Sequence, residues 1–200
     1  MLKITKKHLK MNNSKIILRK KMQEIRNSHT KEFIDLNSEK IANKILSSDL
    51  YKNSKTIMGF LAFGNEVNID EVLIQALKDG KKVCVPEILN KTDLAAIQLL
   101  DMNNLVIGKY NIRSVNPNQQ INIDPQTIDL VIASGLGFDA TGNRIGLGAG
   151  YYDRFIAKAQ KGTILGVAFS NHVISEVPVE ETDMSMDYLV TEKELFKCFR

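Results

Sequence analysis

Apolar residues recur at two spacings along the chain, and these spacings predict alternating helices and strands. A spacing of three to four residues predicts helices over residues 15–26, over a stretch begun by Asn37 and Ser38 as caps, and over residues 70–78. Gly80 then stands where a helix commonly ends in the left-handed conformation. Short apolar runs predict the strands, at residues 55–61, 82–86, 94–100, 128–133, 163–169 and 187–191.

Residues 101–127 form the least regular part of the chain, rich in Asn and Gln and containing Pro117 and Pro125. They predict a long surface connection rather than a domain linker. The alternation elsewhere predicts an α/β fold with a mainly parallel sheet, helices on both of its faces and the ligand at the carboxyl ends of its strands. We expect a basic extension over residues 1–13 and a single α/β domain over residues 14–200, which would carry any catalytic site.

The charge of the chain is concentrated near its amino end. Residues 1–31 hold ten Lys or Arg against the single acidic residue Glu24, whereas the remainder holds 17 basic and 22 acidic residues. A basic arm is compatible with nucleic acid, with a polyanionic ligand or with a solvated helix face. Nucleic acid is the least favoured of these partners, because residues 3–31 contain no Phe, Tyr or Trp that could stack on bases.

The cysteines and the apolar runs indicate in which cellular compartment the protein works. Cys84 and Cys198 are too few and too far apart for a disulfide framework, and no Cys and His residues have the spacing of a zinc site. The first residues lack the apolar core of a signal peptide, and no segment reaches the roughly 18 apolar residues of a membrane span. We therefore expect a soluble cytoplasmic protein without a membrane partner.

The most distinctive segment is Gly-Asn-Arg-Ile-Gly-Leu-Gly-Ala-Gly-Tyr-Tyr-Asp-Arg at residues 142–154. It follows the apolar run at 128–133 and precedes a helical spacing that begins at Tyr152, which predicts a strand, a glycine turn and a helix start in succession. Such a turn offers backbone N–H groups and a helix dipole to an anion. The alternative is that the glycines only make a tight connection between strand and helix.

The glycine turn does not match the familiar phosphate loops. Tyr151 stands where the dinucleotide pattern needs its third glycine, and the chain contains no Gly-Lys-Ser/Thr sequence. Arg144 and Arg154 can neutralise phosphate oxygens, while Asp153 can hold a Mg²⁺ that bridges phosphates. These side chains predict a nucleoside triphosphate site of another kind. On a helix Tyr151 and Tyr152 point in different directions, so one can pack in the core while the other meets a ligand.

Together with other segments in the same order, this turn resembles the 5-formyltetrahydrofolate cyclo-ligase family, whose members are also called methenyltetrahydrofolate synthetases. Residues 144–154 are similar to the family's R-L-G-x-G-x-G-Y-Y-D-R, and residues 135–139 are similar to its G-x-A-F-D. The likeness extends over roughly residues 15–192, and its further matches are residues 15–19, Glu66, residues 80–86, Pro178 and Asp183.

The resemblance implies an ATP- and Mg²⁺-dependent closure of 5-formyltetrahydrofolate to 5,10-methenyltetrahydrofolate, with ADP and phosphate released. It implies a fold shared with the ribose-phosphate isomerase and CoA-transferase group. ATP binding would fall on Lys15, Ile16, Ile17, Leu18, Arg19, Arg144, Ile145, Gly146, Leu147, Gly148, Ala149, Gly150, Tyr151 and Tyr152. Substrate binding would fall on Leu61, Glu66, Leu147, Gly148, Ala149, Gly150 and Tyr151. The expected catalytic residues are Arg144, Tyr152 and Arg154, and the expected Mg²⁺ ligands are Asp153 and Asp183. We expect a monomer whose partners are ATP and 5-formyltetrahydrofolate.

Several positions depart from the family's pattern. Ser114 and Val115 stand where the family often has Glu-Pro, and His172 stands where it often has Gln. Thr182 replaces a common polar or His position, and Ala149 supplies no cation where some members carry Lys. We expect His172 on the surface after its strand, with a position in the pocket as the alternative. These changes motivate a second hypothesis, a folate- or nucleotide-binding paralogue without turnover.

Overall fold

The computed structural model describes residues 6–108, 111–159 and 161–199, and their side chains from residue 13 onward. Its α-helices are α1 (Lys6–Asn27), α2 (Lys31–Ser47), α3 (Asp49–Asn53), α4 (Asp70–Lys78) and α5 (Tyr151–Ile156). Its strands are β1 (Thr56–Met58), β2 (Lys82–Ile88), β3 (Leu94–Leu99), β4 (Leu105–Ile107), β5 (Arg113–Val115), β6 (Asn122–Ile123), β7 (Leu130–Ser134), β8 (Gly137–Asp139), β9 (Arg144–Ile145), β10 (Thr163–Val167), β11 (Val173–Ile174), β12 (Tyr188–Val190) and β13 (Leu195–Lys197).

The central sheet has eight strands in the order β13-β12-β10-β7-β1-β2-β3-β6. Its five central strands pair in parallel, while β13, β3 and β6 pair antiparallel toward the two edges. Strand β1 lies between β2 and β7, so the order of the strands reverses at β1 and β7. The predicted fold class, a mainly parallel α/β sheet with helices, is confirmed.

The side chains of the central strands alternate between two apolar clusters, as the period of a strand requires. Ile57, Leu130 and Ile132 belong to the cluster that α2 and α4 cover. Their chain neighbours Met58 and Val131 belong to the cluster that receives the apolar side of α5. A strand buried on both faces consequently appears in the sequence as a continuous apolar run.

The helix predictions differ from the structure mainly at the amino ends. Helix α1 begins at Lys6, well before the predicted residue 15, so residues 6–13 continue the helix. The predicted extension over residues 1–13 lies partly outside the described residues, since residues 1–5 are not among them. The caps predicted for α2 were wrong: Asn37 and Ser38 are buried inside the helix, and Thr30 caps it by accepting from the N–H of Phe33 at 3.2 Å.

The end predicted for α4 is confirmed, since Gly80 follows the helix with φ of 72°. Residues 101–127, in contrast, are more regular than predicted. Strands β4 and β5 form an antiparallel pair there, and β6 pairs with β3 to extend the central sheet. The shortness of these strands explains the error, because two or three residues are too few for a periodic apolar pattern.

The glycine turn is separated from the central sheet by a small second sheet, β11-β8-β9. The prediction that the turn directly follows the strand at residues 128–133 was therefore wrong, because β8 lies between β7 and the turn, and β9 forms part of the segment 142–154 itself. Apolar residues of α1, including Met22, pack with Leu136 and Ile145 in this layer. The layer fixes α1 beside the glycine turn. In the part of the chain that the structure describes, no helix is long and apolar enough to cross a membrane.

Candidate functional site

A cavity of about 560 Å³ opens at the carboxyl ends of β1, β2 and β7. Phe60 and Leu61 follow β1, Glu87 lies near the end of β2, and Ser134 ends β7; all four line the cavity. In open α/β sheets such a crevice forms where the strand order reverses, and it is the usual place for a ligand. The predicted ligand position at the carboxyl ends of the strands therefore coincides with this cavity.

One side of α1 supplies cations to the cavity. Lys15, Arg19 and Arg26 are separated by four and seven residues, so they share one side of the helix, and all three line the cavity. Nε of Arg19 donates to the carbonyl oxygen of Gly146 at 3.1 Å. Three of the basic residues near the amino end are therefore directed into the cavity, whereas Lys20 and Lys21 on the same helix are exposed.

The three alternate glycines of the turn lie close to three arginine side chains. A Cβ added at Gly146 would lie 2.8 Å from Nη1 of Arg144, and one added at Gly148 would lie 3.2 Å from Cζ of Arg19. A Cβ at Gly150 would likewise lie 2.8 Å from a guanidinium nitrogen, in this case Nη1 of Arg154. Gly148 and Gly150 also have φ values of 102° and 67°, which residues with a Cβ rarely adopt. The glycines thus allow guanidinium groups to approach the backbone of the turn.

Arg144 is the arginine enclosed most deeply at this turn. Its side chain is 6% exposed, and its Nη2 lies 3.0 Å from Oδ1 of Asp153. Its guanidinium carbon lies 5.3 Å from the ring centre of Tyr152, a cation–π distance. Its Nε is buried and has no hydrogen-bond partner among the described residues. A buried donor without a partner is costly in a folded protein, so this N–H is available to a bound anion.

The two tyrosines differ as predicted. Tyr152 packs against the apolar cluster around α5, and burial raises the pKa of its phenol, with the Glu66 carboxylate adding to the shift. The phenol therefore stays protonated at neutral pH and can donate a hydrogen bond. Tyr151 instead directs its hydroxyl outward and donates to the carbonyl oxygen of Asn90 at 3.0 Å.

Carboxylates and an ammonium group lie beside the turn. Nζ of Lys15 lies 2.5 Å from Oδ2 of Asp183 and 3.2 Å from Oε2 of Glu180. Oδ1 of Asp153 also accepts from the N–H of Met184, at 3.2 Å, so the chain around Asp183 lies next to Asp153. Among the described residues no three His, Cys, Asp or Glu side chains form a metal-binding cluster. Two carboxylates do fit a Mg²⁺ that takes most of its oxygen ligands from phosphates and water.

Glu66 is a largely buried acid of the cavity, with its side chain 16% exposed. Its Oε1 lies 3.0 Å from Nη1 of Arg26, and its Oε2 accepts from the N–H of Phe63 at 3.2 Å. Burial raises the pKa of the Glu66 carboxyl, although Arg26 and the N–H of Phe63 act in the opposite direction. Arg26 also donates to the carbonyl oxygen of Gly135, which ties the pair to the end of β7.

A second acid completes this part of the lining. Glu87 accepts a hydrogen bond from the hydroxyl of Ser114, which is buried in β5. Next to Ser114, Arg113 makes two hydrogen bonds to Asp70, at 2.6 and 2.9 Å. We call Lys15, Arg19, Arg144 and residues 146–150 the cationic wall. We call Glu66 and Glu87, with the adjoining Phe60, Phe63 and Ile88, the acidic wall.

His172 does not lie on the surface, contrary to the prediction. It is 3% exposed, and its Nδ1 donates to the carbonyl oxygen of Leu136 at 2.5 Å. Burial lowers the pKa of His172 to about 4, with smaller contributions from Arg26 and His29 in the same direction and from the hydrogen bond to Leu136 in the opposite one. Its ring packs 5.2 Å from that of His29 and 6.5 Å from that of Phe169. It lines a second cavity of about 10 Å³, shared with Arg26 and Glu66, instead of the large one.

Most of the predicted site residues meet in the large cavity. Those that line it are Lys15, Arg19, Leu61, Glu66, Arg144, Ile145, Gly146, Leu147, Gly148, Ala149, Gly150, Tyr151, Tyr152, Asp153, Arg154 and Asp183. Ile16 and Ile17 do not line it and are 60% and 70% exposed, because helical geometry turns them away from the side that holds Lys15 and Arg19. Leu18 packs instead with Leu136 and Ile145.

Several lining residues were not predicted. The helical spacing from Lys15 and Arg19 could have identified Arg26. Glu87 and Glu180 gave no local signal, because strand pairing and loop packing bring them to the cavity from distant parts of the chain. Ser114 and Thr182, which the sequence marks only as departures from the family's pattern, also line it.

Comparisons with known proteins agree on one family. The model of the 5-formyltetrahydrofolate cyclo-ligase family matches residues 11–192. The chain is 28% identical over 189 residues to a probable 5-formyltetrahydrofolate cyclo-ligase of Caenorhabditis elegans, covering 88% of this chain and 92% of the relative. It is 26% identical over 163 residues to the 5-formyltetrahydrofolate cyclo-ligase of Mus musculus, covering 76% and 80%.

Solved structures show the same likeness. The chain resembles the NMR structure of Aquifex aeolicus 5,10-methenyltetrahydrofolate synthetase with a TM-score of 0.81 and 29% identity, over 92% of each chain. It shares its fold with a 5,10-methenyltetrahydrofolate synthetase of Mycoplasma pneumoniae, with a TM-score of 0.72 and 20% identity, over 89% of this chain and 98% of the other.

Proposed function

This chain belongs to the 5-formyltetrahydrofolate cyclo-ligase family, and we propose that it closes 5-formyltetrahydrofolate to 5,10-methenyltetrahydrofolate, using ATP and Mg²⁺ and releasing ADP and phosphate. The observation that carries the proposal is the juxtaposition of two unlike walls in one cavity. Guanidinium and ammonium groups suit a polyanion, and a buried carboxylate suits a ring rich in N–H donors. A triphosphate and a folate would thereby lie side by side.

The reaction needs two bond exchanges. The formyl oxygen of the substrate attacks the γ-phosphorus of ATP, and the bond from that phosphorus to the bridging oxygen of ADP breaks. The resulting formyl carbon carries a phosphate, a far better leaving group than oxide. The 10-nitrogen of the folate then attacks this carbon, loses its proton, and phosphate departs as the ring closes. Such a transfer depends chiefly on positioning and on neutralisation of charge.

The cationic wall is proposed to hold the triphosphate. Arg144 offers its unpartnered Nε–H together with a guanidinium that is already oriented by Asp153. Arg19 is fixed to the turn through the carbonyl oxygen of Gly146 and places its charge beside Gly148. Lys15 is held between two carboxylates close to the same turn. Prepositioned donors stabilise charge that develops on the transferring phosphate without further reorganisation.

Tyr152 is proposed to act where the two walls meet. Both Arg144 and Glu66 influence the pKa of its phenol, and that pKa is raised, so the O–H is retained. A protonated phenol next to a guanidinium can donate a hydrogen bond to an oxygen that gains negative charge. We assign Tyr152 this role toward the oxygen that links formyl carbon and phosphorus.

Asp153 and Asp183 are proposed to hold Mg²⁺. Each carboxylate has one oxygen engaged with a cation, Oδ1 of Asp153 with Arg144 and Oδ2 of Asp183 with Lys15. When bound, the ion supplies further neutralisation of the phosphate oxygens. The two carboxylates lie on adjacent segments, as the contact from Met184 to Asp153 indicates.

Glu66 is proposed to orient the folate. A carboxylate accepts paired N–H donors such as those of a pterin-like ring, provided that it is ionised. Arg26 and the N–H of Phe63 favour the ionised form against the effect of burial. Leu61 and residues 147–151 would contact the rest of the substrate, and Leu147 is 75% exposed at the cavity.

The test is to mix the folded protein with 5-formyltetrahydrofolate, ATP and Mg²⁺ and to follow the absorbance of the methenyl product. We expect product that requires both ATP and Mg²⁺, with one ADP formed for each ring closed. Absence of product from folded protein at ample substrate would overturn the proposal. If the same protein still bound the folate, the non-catalytic paralogue motivated by Ser114 and Val115 would replace it.

A further inference from the structure

Arg154 lies at the outer end of the glycine turn, with its guanidinium group between two backbone segments. Its Nη2 donates to the carbonyl oxygen of Ala149 at 2.8 Å, inside the turn. Its Nε donates to the carbonyl oxygen of Thr92 at 2.6 Å, in the loop between β2 and β3. One side chain therefore joins the glycine turn to residues 89–93, which we call the hairpin loop.

A second side chain makes the same connection. The hydroxyl of Tyr151 donates to the carbonyl oxygen of Asn90 at 3.0 Å, and the guanidinium carbon of Arg154 lies 5.5 Å from the ring centre of Tyr151. Lys158 adds an exposed ion pair to Asp93 at 3.6 Å. The two polar ties are thus made to backbone carbonyl groups of the hairpin loop.

The hairpin loop is itself well ordered. Oδ1 of Asn90 accepts from the N–H groups of Thr92 and Asp93 at 2.8 and 2.9 Å, and the N–H of Leu89 donates to the carbonyl oxygen of Asp93 at 3.0 Å. A loop fixed by its own hydrogen bonds can act as a support rather than as a flexible cover. The residues that flank it, Ile88 and Leu94, line the large cavity.

Arg154 differs from Arg144 in what its guanidinium contacts. Arg144 is buried, is held by a carboxylate and keeps one donor free. Arg154 is exposed and directs its Nε and Nη2 donors at carbonyl oxygens. We propose that Arg154, together with Tyr151, is a positioning residue that fixes the glycine turn to the hairpin loop, so that the turn keeps the shape that binds the triphosphate. The identity of that ligand rests on the proposed function.

The physical reason is the conformational freedom of the turn. Gly148 and Gly150 stand on either side of Ala149, whose carbonyl oxygen Arg154 holds. Without this tie the glycine backbone can occupy many conformations, and the ligand would have to order it on binding. We therefore expect Arg154→Ala to raise the KM for ATP about tenfold while kcat falls no more than about threefold. Arg154→Lys should behave almost as Arg154→Ala, because an ammonium group cannot serve both carbonyls.

A variant of the hairpin loop separates this role from a direct contact with phosphate. Replacing residues 89–93 with a two-residue Asn-Gly turn removes both carbonyl acceptors and keeps β2 and β3 paired. If Arg154 acts through the loop, Arg154→Ala should change the KM for ATP by less than about twofold in this background. The proposal would be overturned if Arg154→Ala raised the KM for ATP as much in the shortened variant as in the full chain. It would also be overturned if Arg154→Lys kept the KM for ATP of the unaltered chain.

Limited trypsin digestion tests the tie without any ligand. Lys91 is exposed in the hairpin loop and offers a cleavage site whose fragments can be identified by mass. We expect cleavage after Lys91 to be at least about fivefold faster in Arg154→Ala than in the unaltered chain. The thermal unfolding midpoints of the two proteins should be equal, so that the faster cleavage reports local opening of the loop. Lys161→Ala, which removes an exposed cation beyond α5, should leave the cleavage rate unchanged. An unchanged rate in Arg154→Ala would overturn the tie, even where the ring-closing activity was demonstrated.

Discussion

The cationic wall and the acidic wall line the same cavity but hold their charges differently. In the cationic wall, Arg19 and Arg144 lie against the glycine backbone of the turn, and Arg19 donates to a carbonyl oxygen of that turn. In the acidic wall, Glu66 is buried beside Arg26 and close to aromatic residues, and burial raises its pKa. The first arrangement holds cationic groups at the turn in fixed positions, in part through paired carboxylates, and these groups suit a polyanion. The second places carboxylate acceptors beside apolar side chains, which suits an uncharged ring with N–H donors.

This difference indicates that each wall suits one of two chemically unlike substrates. The walls meet at Tyr152, whose phenol is influenced both by Arg144 and by Glu66. Under the proposed function, the phosphate transferred between the two substrates would pass near this point. Changes in the cationic wall should therefore affect kcat and the KM for ATP, whereas changes in the acidic wall should affect the KM for folate.

The largest effect is expected from Arg144. Arg144→Ala should lower kcat about 10³-fold, because it removes a prepositioned guanidinium from the transferring phosphate. Arg113→Ala is the matched comparison, since Arg113 also lines the cavity and pairs with an aspartate, but beside the acidic wall. It should lower kcat no more than about threefold. Steady-state kinetics with ATP and folate varied separately measures kcat and the two KM values of both variants. Equal losses of kcat in Arg144→Ala and Arg113→Ala would remove the distinction between the walls.

The next largest effect is expected on the pH dependence of the free energy of unfolding, through the buried His172. The pKa of His172 is lowered to about 4, so the unfolded chain takes up a proton at this residue before the folded chain does. Stability is then fully present above pH 6.5, the ordinary pKa of histidine, and is lost as the pH falls toward 4. The loss attributable to His172 is about 3 kcal/mol at most.

Urea unfolding between pH 7.5 and pH 5 measures this effect, with His172→Gln as the variant that cannot titrate. Gln retains an N–H that can donate to Leu136, the residue whose carbonyl His172 holds. We expect the variant to lose much of the pH dependence of the free energy of unfolding. His29, whose pKa burial also lowers, supplies the remainder and is removed by His29→Gln. An unchanged slope in His172→Gln would mean that its imidazole takes up a proton in the folded protein over the same pH range as in the unfolded chain.

The phenol at the junction of the walls should have a smaller catalytic effect. Tyr152→Phe removes only the hydroxyl and keeps the ring beside Arg144, so kcat should fall about 30-fold with both KM values nearly constant. Tyr151→Phe is the control, because its hydroxyl contacts the hairpin loop and its loss should appear in the KM for ATP. A change confined to the KM for folate in Tyr152→Phe would place the phenol in the acidic wall instead.

Glu66 tests the acidic wall directly. Glu66→Gln should raise the KM for 5-formyltetrahydrofolate about 10-fold and change kcat at saturating folate far less than Arg144→Ala does. Because the pKa of Glu66 is raised, the unaltered enzyme should also lose folate affinity on acidification at a higher pH than an ordinary carboxylate would require. The KM for folate of Glu66→Gln should be independent of pH over the same range. If the KM for folate rose on acidification by the same factor in both proteins, the titration would belong to another group.

The sequence predicted the cationic wall better than the acidic wall, and the reason is physical. The three alternate glycines, Arg144 and Asp153 lie within ten consecutive residues, so their spacing alone indicated a common site. The acidic wall combines the loop after β1, the end of β2 and, through Ser114, strand β5. Only the sheet pairing brings these segments together, and residues 101–127 were too irregular to indicate it.

Burial was the other property that the sequence did not indicate. His172 follows a strand, as many surface histidines do, but aromatic contacts with His29 and Phe169 enclose it. Asn37 and Ser38 have the composition of a cap, yet they lie inside α2, where Ser38 accepts from the N–H of Asn68. The carbonyl oxygen of Leu136 and the N–H of Asn68 thus give His172 and Ser38 distant hydrogen-bond partners, whereas Asn37 donates to Phe33 within its own helix.

The smallest expected effect adds charge to the cationic wall rather than removing it. Ala149 is exposed on the glycine turn and lines the cavity, so Ala149→Lys would place an ammonium group near the triphosphate without displacing buried atoms. An exposed charge interaction of about 0.5–1 kcal/mol corresponds to a KM for ATP lowered about two- to fivefold. Ala157→Lys adds the same charge at an exposed position that does not line the cavity, and it should leave that KM unchanged. Because salt screens exposed charges, the gain should disappear as the ionic strength approaches about 1 M. A gain of equal size in Ala157→Lys, or one that persisted at high salt, would show that net charge rather than the position of the cationic wall governs the affinity for ATP.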